Sequence, residues 1–153
     1  MRTNDARAIS GRVLMSALPD WTLHYVGLPF REGGRERTGL DCYGLLRLII
    51  NERFGGEIPE YEGIAYRGGD DADFLATLMD ERIRLWTPIR IGDEGPGDGI
   101  LLRVMGRAIH VGIVIAPGLM LHIEKDCDSL IERYSAGSRW ERRILGFYRH
   151  ALR

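Results

Sequence analysis

From Pro96 onward the sequence is a succession of short apolar runs, at residues 100–104, 109–115, 119–124 and 144–148. Turn residues cut them apart at Pro96-Gly97-Asp98-Gly99, Met105-Gly106-Arg107 and Ala116-Pro117-Gly118. Runs of Val, Ile and Leu this short, each bounded by Gly or Pro, fit strands joined by hairpins, and hairpins force antiparallel pairing. Upstream the period changes. Cys42, Leu45, Leu46, Ile49 and Ile50 follow the 3, 4, 7 spacing of one buried helical face, which predicts a helix over 42–54. Asp41 stands where an N-cap belongs and Gly55-Gly56 where a C-terminal glycine belongs. Further helices are expected over 5–18, stopped by Pro19, and over 71–84, with Phe74, Leu75, Leu78 and Ile83 inward. Helices first and an antiparallel sheet second is an α+β layout, not a parallel α/β one.

The chain has 153 residues, which suits one domain over 1–153 with a core of its own. Its formal net charge of −1 gives no overall attraction to nucleic acid or an anionic membrane. Nothing approaches the 18 apolar residues of a membrane span, and residues 13–18 are too short and interrupted for a signal peptide. The expectation is synthesis in the cytoplasm. Two cysteines do not make a disulfide framework, and free thiols in a reducing compartment explain them better.

Those thiols are not equivalent. Cys42 sits at the first turn of its predicted helix, where unpaired N–H groups and the helix dipole favour a thiolate. Gly44 is expected to keep bulk away from the sulfur. The bland alternative is that Cys42 is a small buried apolar residue on the helix's core face. Cys127 lies in the polar run 124–129 and reads as loop. Iodoacetamide at neutral pH is therefore expected to label Cys42 before Cys127. His110 opens an apolar strand and His122 lies on the next one. If 116–118 is a three-residue loop, Ile115 pairs with Leu119, His122 faces Gly112, and His110 faces Glu124. Both rings then share one sheet face on a diagonal, about 7–8 Å apart at the backbone. One imidazole could take a thiol proton while a second group fixes its tautomer. His122 and Glu124 both qualify for the second role. An even-length loop would put the rings on opposite faces. Zinc held by Cys42, His110, His122 and Cys127 is disfavoured, because no pair of ligands has the short spacing of zinc sites. His24 and His150 read as exposed, Trp86 and Trp140 as packing residues, and Asp98 as shaping its turn.

The stretch Tyr25-Val-Gly-Leu-Pro-Phe, then Gly33-Gly34, then Gly39-Leu-Asp41-Cys42-Tyr43-Gly44-Leu45, resembles the nucleophile region of NlpC-type cell-wall cysteine peptidases. Gly97-Asp98-Gly99-Ile100-Leu101, His110-Val111-Gly112-Ile113 and Met120-Leu121-His122 resemble the same family's sheet. The ending Ile144-Leu-Gly-Phe-Tyr-Arg-His150 and the segment Ile58-Pro-Glu-Tyr61 are similar to the branch found with phage tail and gene-transfer-agent genes. The similarity spans about 21–150. It implies a papain-like fold and an endopeptidase acting on peptidoglycan stem peptides, at the bond from the γ-carboxyl of D-glutamate to the diamino acid. It makes Cys42 the nucleophile, His110 the base and His122 the third residue, with no metal or cofactor. Asp41 and Tyr25 fall where the family holds the substrate's free amine. Tyr43 replaces the usual Ser beside them, as is common in the tail-associated branch. Partners would be stem peptides and tail or particle proteins, and a particle or lysis would bring the protein to the wall. The alternatives are a structural tail-tip protein that retains the fold, and a cysteine amidase or thioesterase with another substrate.

Overall fold

The computed structural model describes residues 18–55, 58, 86–104 and 107–151. The helices expected over 5–18 and 71–84 fall outside these residues, apart from Leu18, as does the core of the turn at 105–106. A small hairpin, β1 (Arg35–Glu36) and β2 (Gly39–Leu40), leads into the helix α1 (Cys42–Arg53). Six strands follow: β3 (Trp86–Ile89), β4 (Gly99–Val104), β5 (Arg107–Ala116), β6 (Leu119–His122), β7 (Leu130–Arg133) and β8 (Ile144–His150). They form one antiparallel sheet in the order β3-β8-β4-β5-β6-β7. The α+β reading therefore holds, and the four expected strands are present. β1, β2, β3 and β7 are additions. Each has at most four residues, too few to show a period.

The helix begins and ends where its capping residues dictate. Asp41 Oδ1 accepts from the Gly44 N–H at 2.7 Å, and Gly55 adopts φ +66°, the left-handed conformation favoured just past a helix end. Cys42, Leu45, Leu46, Ile49 and Ile50 are all buried, in a core with Val111, Ile113, Ile115 and Leu121 of the sheet. A second core on the other side gathers Ile100, Leu102, Val114, Met120, Trp140 and Phe147.

Gly44 has a different purpose from the one expected. A Cβ there would lie 2.1 Å from the Gly34 carbonyl oxygen, so the glycine admits the loop before β1 against the helix's first turn. Asp98 does shape its turn. Its carboxylate is fully buried and accepts from the Gly95 N–H at 2.8 Å and from Arg149 Nε and Nη2 at 2.9 and 2.8 Å. Asp98→Ala should lower unfolding free energy in urea by about 2–3 kcal/mol, because several charge-assisted bonds disappear together. A loss under about 0.5 kcal/mol would show that the turn holds without them.

The β5–β6 connection corrects the expected loop. Ala116 pairs with Leu119, so the turn has two residues, Pro117 and Gly118, not three. A register shift between Val114 and Ala116 absorbs the difference, and Val114 pairs with Met120 and Ile113 with Leu121. Beyond this bulge the register is the one expected from sequence. A Cβ on Gly112 would lie 3.2 Å from His122 Cβ, so the two residues do face each other.

Candidate active site

The two imidazoles meet. His110 Nε2 lies 2.8 Å from His122 Nδ1, with ring planes at 75°. His122 Nε2 in turn lies 2.7 Å from Glu132 Oε2. Trp140 stacks on the His110 ring at 5.4 Å and 18°, and meets His122 edge-on. His122 is therefore the group that touches His110, and Glu124 turns instead to Arg139, with which it forms an ion pair. Arg139 also binds Glu132 through Nε at 2.6 Å and Nη2 at 2.9 Å, and its guanidinium lies over Trp140 at 4.4 Å.

Cys42 packs in the helix-side core, and the imidazoles lie beside Trp140 of the second core. Contact between the thiol and the histidine strand runs through Val111, directly after His110. The backbone N–H of Val111 on β5 favours the Cys42 thiolate, and so does that of Tyr43, the one that the helix start predicts. Burial and the Asp41 carboxylate outweigh them and push the thiol up to about 12. Burial likewise pushes His110 down to about 3, helped by His122. Thiol and imidazole are thus each held toward the neutral form, against the thiolate expected from the helix start alone. Cys42 is 5% exposed while Cys127 is exposed. The labelling order is accordingly reversed: iodoacetamide at neutral pH should modify Cys127 first, as peptide mapping of partly labelled protein would report, and that order counts against Cys42 as an activated thiol in the resting protein.

Of the three residues expected at the substrate site, Asp41 and Tyr43 lie at the helix start, whereas the Tyr25 hydroxyl lies at the other end of α1, against Glu52 and Arg53. Asp41 is buried, and its Oδ1 caps α1 and pairs with Arg35 Nη1 at 2.8 Å, while its Oδ2 accepts no hydrogen bond. The ring of Tyr43 is buried under the Arg35 guanidinium at 5.0 Å. The Tyr25 hydroxyl donates to Glu52 Oε2 at 2.5 Å and accepts from Arg53 Nε at 3.0 Å, so it is committed within the protein. The zinc set of Cys42, His110, His122 and Cys127 is not assembled. Among the described residues, His122, Glu124 and Glu132 are close enough to share a cation, and Arg139 is paired to both carboxylates. His24 is exposed as expected. His150 is not: it is buried at the end of β8, against Trp86 at 5.1 Å.

Glu132, Arg139 and the ring-stacking role of Trp140 were not read from the sequence. The one available signal was Leu130-Ile131-Glu132-Arg133, a four-residue strand pairing His122 with Leu130. That register puts Glu132 two residues along from the partner of His122, on the same face.

Burial holds His110, His122 and His150 below the ordinary imidazole value of 6.5. In the unfolded chain these rings take up protons near 6.5, and in the native state they stay neutral. Below that pH the unfolded state binds more protons, so stability falls as pH falls. Glu132 acts in the same direction further down. Although burial opposes it, hydrogen bonds led by those from Arg139 hold its carboxyl at about 2. Its stabilisation is present above the ordinary carboxyl value of 4.5 and is lost toward pH 2. The melting temperature should therefore drop steadily from pH 7 to pH 4, with each neutral ring contributing up to about 1.4 kcal/mol per pH unit. A flat profile would contradict the buried, neutral rings.

A helix packed on an antiparallel sheet, with Cys42 at the helix start, is the papain-like class of α+β fold. The chain belongs to the NlpC/P60 family, whose model matches residues 27–149. None of the curated proteins compared is a match. Among solved structures, the chain is similar to the NlpC/P60 domain of the peptidoglycan hydrolase SagA. The TM-score is 0.53 at 19% identity, over 77% of this chain and 87% of that one. It is also similar to a lipoprotein-like NLP/P60 family protein from Staphylococcus aureus subsp. aureus Mu50. There the TM-score is 0.60 at 20% identity, over 86% of this chain but 39% of the longer protein. No helix among the described residues is long and apolar enough to cross a membrane.

Proposed function

We propose that the chain is a cysteine endopeptidase of peptidoglycan stem peptides, with Cys42 as nucleophile, His110 as base and His122 as the group that orients it. The observation that carries this reading is the 2.8 Å contact to His122 from His110 within β5, where the next residue, Val111, favours the Cys42 thiolate through its N–H. Because His110 Nε2 is engaged by His122, Nδ1 is the nitrogen left to take the thiol proton. The sulfur then bonds to the scissile carbonyl carbon, with backbone N–H groups at the helix start supporting the oxyanion. As the C–N bond breaks, His110 returns its proton to the leaving amine. Water, deprotonated by His110, attacks the acyl carbon, and the C–S bond breaks to regenerate the thiol.

Asp41 is the better candidate for a substrate ammonium, since Oδ2 has an acceptor position open and the Tyr25 hydroxyl is already used. Arg35 covers this carboxylate, so binding requires that side chain to give way. The γ-D-glutamyl–diamino acid bond is the proposed target. The tail-associated branch is the proposed setting, with tail or particle proteins as partners carrying the protein to the wall. The structural tail-tip reading draws on the closed site, with Cys42 nearly covered and its thiol pushed up.

Purified sacculi and a panel of stem peptides, with and without a free N-terminal amine, test the proposal. Release of fragments ending in D-glutamate is the expected result. Intact sacculi and intact peptides throughout the panel would overturn it in favour of the structural role. Cleavage confined to other amides or thioesters would move the substrate class.

A further inference from the structure

We propose that Glu132 is a positioning residue that fixes the direction of the hydrogen bonds from His122 to His110, leaving a lone pair on His110 Nδ1. This rests on the reading of Cys42, His110 and His122 as the reacting group. A neutral imidazole has one N–H and one lone pair, and an ionised carboxylate only accepts. Glu132 Oε2 lies 2.7 Å from His122 Nε2, so that nitrogen carries the hydrogen. His122 Nδ1 is then the acceptor, and His110 Nε2, 2.8 Å away, is the donor. The last consequence follows without further choice: His110 Nδ1 is unprotonated and able to take a proton.

Without the carboxylate, two neutral imidazoles satisfy the same contact equally well in reverse. His122 would donate from Nδ1, His110 would accept at Nε2, and His110 Nδ1 would carry a hydrogen. That ring could not act as base toward the thiol. The surroundings hold the working direction in place. Arg139 binds both oxygens of Glu132, and burial keeps both rings neutral. Trp140 stacks on the His110 ring and holds its plane. Glu124 belongs to the same cluster but pairs with Arg139 and not with a ring.

The test is nitrogen-15 NMR of the histidine rings, which reports the tautomer without turnover. The wild-type protein should show N–H at Nε2 and a lone pair at Nδ1 for both His110 and His122. In Glu132→Ala the two directions should mix, and kcat should fall on the order of 10–100-fold with KM little changed. Glu132→Gln, nearly isosteric, introduces a donor beside His122 and should also disturb the tautomers, so the test survives if the alanine variant folds poorly. Glu124→Ala should leave both tautomers in place. A wild-type His110 protonated at Nδ1, or tautomers indifferent to both Glu132 variants, would overturn the inference. Absence of peptidase activity together with Glu132-dependent tautomers would reject the catalytic reading and leave the positioning of the rings standing.

Discussion

Cys42→Ala protein should release no stem-peptide fragments from sacculi, with a rate loss on the order of 10⁴–10⁶-fold against the wild type. The loss is large because the acyl group has nowhere else to go: the covalent route requires this sulfur. Folding should be nearly unaffected, since removing one buried sulfur leaves a small cavity worth about 1 kcal/mol. His110→Ala should cost nearly as much. Burial and the Asp41 carboxylate push the thiol up, so the resting sulfur is protonated and the reaction depends on a base to take its proton. Fragment release by Cys42→Ala at the wild-type rate would remove Cys42 from the mechanism. A drop for Cys42→Ala with none for His110→Ala would instead show that the thiol ionises without the ring.

The second large effect is structural. Gly44→Ala should lose several kcal/mol of stability and much of its soluble yield. The added Cβ would sit 2.1 Å from the Gly34 carbonyl oxygen, which is backbone and cannot swing aside like a side-chain tip. It would also crowd Asp41 Oδ1 at 3.2 Å, the atom that caps the helix. Ordinary overpacking costs about 1–3 kcal/mol. Here the loop must move away and the cap weakens as well, so the loss should reach or exceed the upper end of that range. Asp41→Asn is a useful comparison. The amide still has an oxygen to cap the helix, so only its ion pair with Arg35 is lost. Wild-type urea midpoints for Gly44→Ala would show that the loop is free to shift.

Much of this was legible in the sequence because it depends on period and on ends. The apolar face of α1, its Asp41 cap and the glycine past its end are local signals, and the structure has each of them. The shared face of His110 and His122 was legible for a less secure reason. The turn is one residue shorter than expected, and the bulge between Val114 and Ala116 restores the same parity. Other features were hidden because they depend on tertiary contact. Nothing local distinguishes Glu132 from any other acidic residue of a short strand until β7 is laid beside β6. The ionisation of Cys42 is hidden for the same reason. The helix start is visible in sequence, whereas the burial that overrides it is a property of the packed molecule. His150 became a core residue because β8 runs two residues beyond its apolar pattern to pair with β3, a strand that the sequence did not announce.

The bulge in β5 ties the length of a surface hairpin to chemistry at its far end. Adding or deleting a single residue at Pro117-Gly118 would ordinarily be among the mildest changes a protein can accept. In this hairpin it would turn the His122 ring away from His110, unless the irregularity in β5 were gained or lost in the same step. Such tips are usual places for drift or for splicing in a tag. This one is open only to changes made in compensating pairs.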